Sequence, residues 1–193
     1  MTVHRFSRES TPATPWKNGG GSTREIVSWP PGAGIEAFDW RVSIATIAAS
    51  GPFSVFAGVD RTIMLLEGDG VRLQAAEAGL DHRLDTPMVP FAFSGDIALD
   101  CTLLGGASND FNVMSRRARC RAEVHVLADA QSLPTASGGL LMSLHGPWQA
   151  GEQTLATGEG LWWADAAMAW TLKPLQADAR LVAVRFHTHS LET

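Results

Sequence analysis

Tyrosine is absent from this 193-residue chain, and cysteine is represented only by Cys101 and Cys120. Two cysteines without CxxC spacing cannot build a disulfide framework, so both are expected to be buried free thiols, as in a cytoplasmic protein. No apolar run reaches the length of a membrane span, and the N-terminal MTVHRFSRES lacks the apolar core of a signal peptide. The sequence therefore predicts a soluble, cytoplasmic chain with no membrane partner. Positive charge is scarce as well: 15 Lys and Arg face 20 Asp and Glu, for a formal net charge of −5. Displacing counterions from a duplex needs a concentrated basic field, so direct nucleic-acid binding is not expected. The one basic cluster, Arg116, Arg117, Arg119 and Arg121, reads as a solvated strand or linker.

Long helices are also missing, because 19 glycines and 10 prolines interrupt the chain along its whole length. What remains alternates as strands do. Trp40 to Ala45 switches between apolar and polar residues, and Thr62 to Leu66 is a short apolar run that stops at Gly68-Asp69-Gly70. Val71-Arg72-Leu73 alternates again, so these two runs predict a hairpin. Further strands are expected at residues 25–29, 88–93, 97–104, 123–127, 140–144, 160–164, 168–172 and 180–187. The only helix propensity, at residues 75–78, is too short to matter. Many short strands with regular turns predict an all-β sandwich or barrel. Seven tryptophans should anchor its cores or line a pocket.

A weak internal repeat divides the chain. MLLEGDG, HRLDTPMVPFAFSGD and IALDCTLLGG are followed, in the same order of strand types, by LMSLHGP, QTLATGEGLWWADA, and AWTLKP with LVAVRFH. This predicts two barrels, residues 1–115 and residues 116–193.

Three segments carry chemistry. Pro15 to Glu25 contains three consecutive glycines. Gly19 and Gly20 would let backbone N–H groups approach a ligand, Lys17 and Arg24 would favour an anion, and Asn18 and Thr23 would hydrogen-bond it. A phosphate loop would end in Gly-Lys-Ser/Thr and open into a helix, and that pattern is missing. A glycine-rich turn before the following strand is the plainer reading. Gly51 to Arg61 ends in Asp60-Arg61, readable as a fixed ion pair or as an arginine presented to a carboxylate. Asn109 to Arg117 reads as a crossover strand with a wet polar face.

Taken in order, PWKNGGGSTREI, FDWRVSIATIAASGPFSVFAGVDRTIMLLEGDGVRL and NDFNVMSRR resemble the HutD/Ves family from about Trp16 to Arg117, and more weakly to the end. The resemblance implies an all-β bicupin: two cupin-like barrels or jelly rolls packed together in one chain, and a homodimer. It also implies a bacterial regulator or metabolite sensor linked to histidine utilisation, with a ligand such as formylglutamate or urocanate. Ves-like members are associated with stress response instead. One departure is Ala57, where the family motif usually carries proline, which predicts a looser loop.

Metal-dependent cupins supply His-x-His, Glu and a later His, whereas Phe53, Ser54 and Phe56 stand in the corresponding region. Of the six histidines only His187 and His189 are closely spaced. No metal site and no cofactor are expected. There is no Gly-x-Ser-x-Gly elbow, and no catalytic residue is assigned, although Glu25, Asp60 and Asp110 are candidate carboxylates.

The leading expectation is a pocket walled by Trp16 and Trp40 and closed by the glycine loop, receiving a small anionic metabolite. Lys17, Arg24 and Arg61 would meet its charge; Asn18, Thr23, Gly19, Gly20 and Glu25 complete the set. The alternative is a metal-free cupin enzyme, an isomerase or hydrolase of a small organic acid. A third is a scaffold whose second barrel, with Leu161-Trp162-Trp163, serves only a dimer interface.

Overall fold

Turns organise the chain, as its glycine and proline spacing requires. The computed structural model describes residues 2–189, and within them nineteen strands and one 3-10 turn, Ala76–Ala78, follow in succession. They form two units. One runs from Pro12 to Ala118; the other joins the residues up to Thr11 with those from Arg119 onward.

The first strand, β1 (Val3–Ser7), belongs to the latter unit. The Pro12–Ala118 unit contains β2 (Ala13–Pro15), β3 (Gly21–Trp29), β4 (Trp40–Ile47), β5 (Gly51–Pro52), β6 (Val59–Gly68), β7 (Val71–Ala75), β8 (Leu80–Leu84), β9 (Phe91–Ser94), β10 (Asp100–Leu103) and β11 (Ser108–Arg116). These form a six-stranded sheet, β2-β3-β4-β11-β6-β9, and a four-stranded sheet, β5-β10-β7-β8. Side chains alternate across each strand, so every second residue of the two sheets points inward. Ile47, Ile63, Leu65 and Phe93 of the first thus meet Val71, Leu73, Leu84 and Cys101 of the second in one buried cluster. Burial there pushes the Cys101 thiol up to about 12, with Asp110 adding to the shift, so it stays protonated.

The other unit contains β12 (Cys120–Leu127), β13 (Gln131–Ala136), β14 (Gly138–His145), β15 (Trp148–Ala150), β16 (Gln153–Leu155), β17 (Glu159–Trp163), β18 (Met168–Pro174) and β19 (Arg180–Thr188). Its sheets are β1-β17-β14-β19-β12 and β13-β18-β15-β16. Trp148, Trp163 and Trp170 fill its interior together with Leu141, Leu161, Leu172 and Leu181. Of the Leu161-Trp162-Trp163 run, the outer two face this core, while Trp162 stacks on His4 with ring centroids 4.0 Å apart.

The two units repeat one connectivity. With β2 and β3 set aside, β4-β11-β6-β9 and β5-β10-β7-β8 correspond strand for strand to β12-β19-β14-β17 and β13-β18-β15-β16. The weak repeat in the sequence follows this order.

Three expectations need correction. The division between residues 115 and 116 misplaces the N-terminus, because β1 pairs with β17 from Val3↔Trp163 to Ser7↔Glu159. Periodicity reveals a strand but not its partner. The expected hairpin of β6 and β7 does not form: β6 pairs with β11 and β9, whereas β7 pairs with β8 and β10. Gly68 and Gly70, with φ of 101° and 82°, turn the chain from one sheet to the other. Finally, the polar face of β11 is not wet. Ser108, Asp110 and Asn112 are buried.

Candidate functional site

The site lies within the Pro12–Ala118 unit, where the inward faces of β3, β4, β6 and β11 turn from apolar to polar. Along β4, Ile47 and Ala45 are followed by Ser43 and Arg41; along β6, Ile63 is followed by Arg61; along β11, Asn112 and Met114 lie on the same face. Together with Trp16, Lys17, Asn18, Thr23, Ile35 and the Pro52–Phe56 loop, these residues line a cavity of about 460 Å³. That volume suits a small metabolite.

Arg61 dominates its electrostatics. The guanidinium lies over the rings of Phe93, Phe53 and Phe56 at 5.0, 5.3 and 5.5 Å, and Nη2 donates to Asn112 Oδ1 at 3.0 Å. Its buried Nε has no hydrogen-bond partner. Loss of solvent, then the neighbouring charge of Arg41, lowers its pKa to about 10, so it remains charged near neutrality. Among the described residues no carboxylate pairs with it. A desolvated cation held by an amide and three phenyl rings favours an incoming anion.

Arg41 is differently placed. Its Nε donates to Glu25 Oε2 at 2.7 Å and its Nη1 to Ser43 Oγ at 3.3 Å. The Asp60-Arg61 ion pair does not form, since neighbours on a strand face opposite ways. Asp60 instead accepts from Arg117, which also bonds Asp96 at 2.9 Å. Asp96 holds the Gly58 N–H at 2.7 Å, fixing the end of the Phe53–Phe56 loop. That backbone contact, then Ser94 and Arg117, lowers the Asp96 carboxyl to about 2. The basic run is thus structural: Arg116 binds the Phe38 and Glu36 carbonyls, and Arg121 pairs with Glu123.

Five of the sequence-predicted ligand residues line the cavity: Trp16, Lys17, Asn18, Thr23 and Arg61. The other five do not. Arg24 pairs with Ile44 across β3 and β4, on the face opposite Thr23. Trp40 lies on that opposite face too, where it stacks on Trp29 at 6.2 Å. Glu25 is occupied by Arg41. Gly19 and Gly20 spend their N–H groups internally, on Trp16 O at 3.0 Å and Asn18 Oδ1 at 3.0 Å. The glycine run is therefore a turn that positions Trp16, Lys17 and Asn18, and Trp16 Nε1 donates to Thr23 Oγ1 at 2.8 Å. Within it Gly21 is the close-packed member. A Cβ there would collide with the Thr46 carbonyl and meet the Trp16 ring at 3.0 Å. Gly21→Ala should destabilise the protein by about 2 kcal/mol, read as a lowered urea midpoint at unchanged m-value.

Sequence reasoning missed Arg41, Ser43, Asn112 and Met114. The signal was present in alternation: apolar Trp40, Val42 and Ile44 suggest the core face, yet the polar face lines the cavity.

The loop carrying Ala57 is tied rather than loose. Val59 N–H donates to Phe56 O at 3.2 Å with Gly58 at φ 71°, the geometry of a type II turn. Proline suits the second position of such a turn. Ala57→Pro should therefore raise stability by about 0.5 kcal/mol, measured by denaturant unfolding.

The lining contains no imidazole, thiolate or carboxylate, so it does not suit a transition metal. Elsewhere, no group of three or more His, Cys, Asp or Glu that could hold a metal occurs among the described residues. His187 instead approaches Glu123, at 3.2 Å. No helix among the described residues is long and apolar enough to cross a membrane.

Residues 8–182 match the family model HutD. The chain belongs to the HutD family. Protein Ves of Citrobacter koseri is 39% identical over 178 residues, covering 92% of this chain and 90% of that protein. The structure of HutD from Pseudomonas fluorescens SBW25 (formate condition) matches with a TM-score of 0.86 at 30% identity, covering 98% of this chain and all of that one. A variant of Bacillus subtilis oxalate decarboxylase shares only the fold, with TM-score 0.60 at 8% identity over 96% of this chain and 77% of that one. The two units of this HutD-family chain are cupin barrels.

Proposed function

We propose that this protein binds a small carboxylate in the cavity of its Pro12–Ala118 barrel and serves as a metabolite sensor or regulator linked to histidine utilisation. The observation that carries the reading is Arg61: a buried guanidinium that lines the cavity, lacks a carboxylate partner among the described residues and has a free Nε. Lys17 at the rim and the Asn18 amide add donors. Charge-assisted hydrogen bonds contribute roughly 1.5–3 kcal/mol each, so two or three support micromolar binding after ordering costs. HutD-family membership supports the histidine-utilisation link. Formylglutamate, with two carboxylates, and urocanate, with one, are the candidate ligands.

The three candidate catalytic carboxylates give the enzymatic alternative little support. Glu25 is paired with Arg41, Asp60 with Arg117, and Asp110 has no exposed surface. Thermal unfolding with each histidine-degradation intermediate at millimolar concentration tests the sensor reading. A ligand that binds only the folded state raises the midpoint by several degrees; no rise with any of them contradicts it.

A further inference from the structure

Arg61 does not face the cavity alone. Arg41 on β4 and Arg61 on β6 both stand opposite Met114 of β11, the strand between them. One row across the sheet thus carries two guanidiniums with a thioether between, and all three side chains line the cavity. The two Cα atoms are two strand spacings, about 10 Å, apart. The charge of Arg41 is nevertheless felt at Arg61, where it helps to lower the pKa.

Their partners keep the two heads separate. Arg61 is fixed by Asn112 and the phenyl rings of Phe53, Phe56 and Phe93. Arg41 is drawn the other way, toward β3, where Glu25 Oε2 accepts from its Nε at 2.7 Å. Its Nη1 donates to Ser43 Oγ at 3.3 Å, and its Nη2 makes no hydrogen bond among the described residues. Lys17 adds a further positive charge at the exposed rim and pairs with no carboxylate among the described residues. With Glu25 set against Arg41, two positive charges remain in excess around a lining that has no carboxylate of its own. A cleft of one sign favours a doubly charged anion over a singly charged one. A single carboxylate on Arg61 leaves Arg41 unmet, whereas two carboxylates on one carbon chain meet both. Ala45, Ile47 and Phe53 offer apolar lining for that chain.

We infer that the cavity selects a dicarboxylate with a short carbon chain, Arg61 receiving one carboxylate and Arg41, through Nη2, the other. Glu25 touches no ligand; it positions Arg41. The inference rests on the carboxylate-binding reading above and goes further by naming the ligand class and the second receiving residue. Of the two candidate ligands, it fits the one with two carboxylates.

Calorimetric titration with three acids tests it. Glutarate carries two carboxylates, pentanoate has the same five carbons and one carboxylate, and benzoate has one carboxylate on a flat body. The unaltered protein should bind glutarate at least tenfold more tightly than either monocarboxylate. In Arg41→Met that advantage should shrink to less than threefold, while pentanoate and benzoate, which use Arg61 alone, change less than threefold. Lys17→Gln removes the same charge from the rim and should keep most of the glutarate advantage. Thermal unfolding without ligand establishes that both variants are folded. No preference of the unaltered protein for glutarate, an advantage that survives Arg41→Met, or its equal loss in Lys17→Gln overturns the inference and leaves carboxylate binding standing. Failure of the unaltered protein to bind any of the three acids removes the carboxylate reading and this inference with it.

Discussion

Arg61→Leu is expected to weaken carboxylate binding at least a hundredfold, about 2.7 kcal/mol, without lowering the stability of the fold. Both halves follow from one fact. The guanidinium is buried with only Asn112 Oδ1 and three phenyl rings as partners. An ion lacking its counter-charge carries an uncompensated desolvation cost, and an apolar group of similar volume relieves it. Titration calorimetry with benzoate and urea unfolding of the same preparation read the two effects. Lys17→Gln, at the exposed rim, should weaken binding by less than about fivefold. Equal losses for the two variants would mean that the buried guanidinium is not the anchor.

The second large effect is a pH dependence of stability owed to Asp110. Its carboxyl is wholly buried; Oδ1 accepts from Ser108 Oγ at 3.0 Å and Oδ2 has no partner. Burial raises its pKa to about 7, against a smaller opposite pull from Ser108. Below about pH 4 the group is protonated in both the folded and the unfolded chain. Between about pH 4 and 7 the unfolded chain releases the proton while the folded chain keeps it. Stability should therefore fall as pH rises through this window, by up to about 1.4 kcal/mol per pH unit, and the decline should level off above 7. Asp110→Asn removes the titration. The variant should be more stable than the original by up to about 4 kcal/mol at pH 8, with little difference at pH 4. Parallel pH profiles for the two proteins in urea would contradict a buried, protonated Asp110.

Much of this architecture was legible because strand period and turn chemistry are local. Trp40 to Ala45, Thr62 to Leu66 and Arg180 to His187 alternate or run apolar as their sheets demand, and all three are strands. Pairing is not local. Nothing in VHRFS announces that it extends the sheet of Glu159–Trp163, and Gly68-Asp69-Gly70 looks the same whether it closes a hairpin or carries the chain between sheets. The site was half visible for a related reason. Trp16, Lys17, Asn18 and Thr23 announced themselves by composition, but Arg24 differs from Arg41 only in which side of a strand it occupies. Likewise the polar residues of NDFNVMSRR looked solvated, because a sequence does not show that the inner face of a barrel can be both polar and enclosed.

The central claim is that Arg61 receives the carboxylate, and its Nε–H reports on this directly. In nitrogen–proton correlation spectra, the arginine Nε–H signal that disappears in Arg61→Leu should shift downfield and saturate as benzoate is added, because a free donor gains an anionic acceptor. An Arg61 signal that stays in place while another arginine responds, or while calorimetry records binding, would contradict the account.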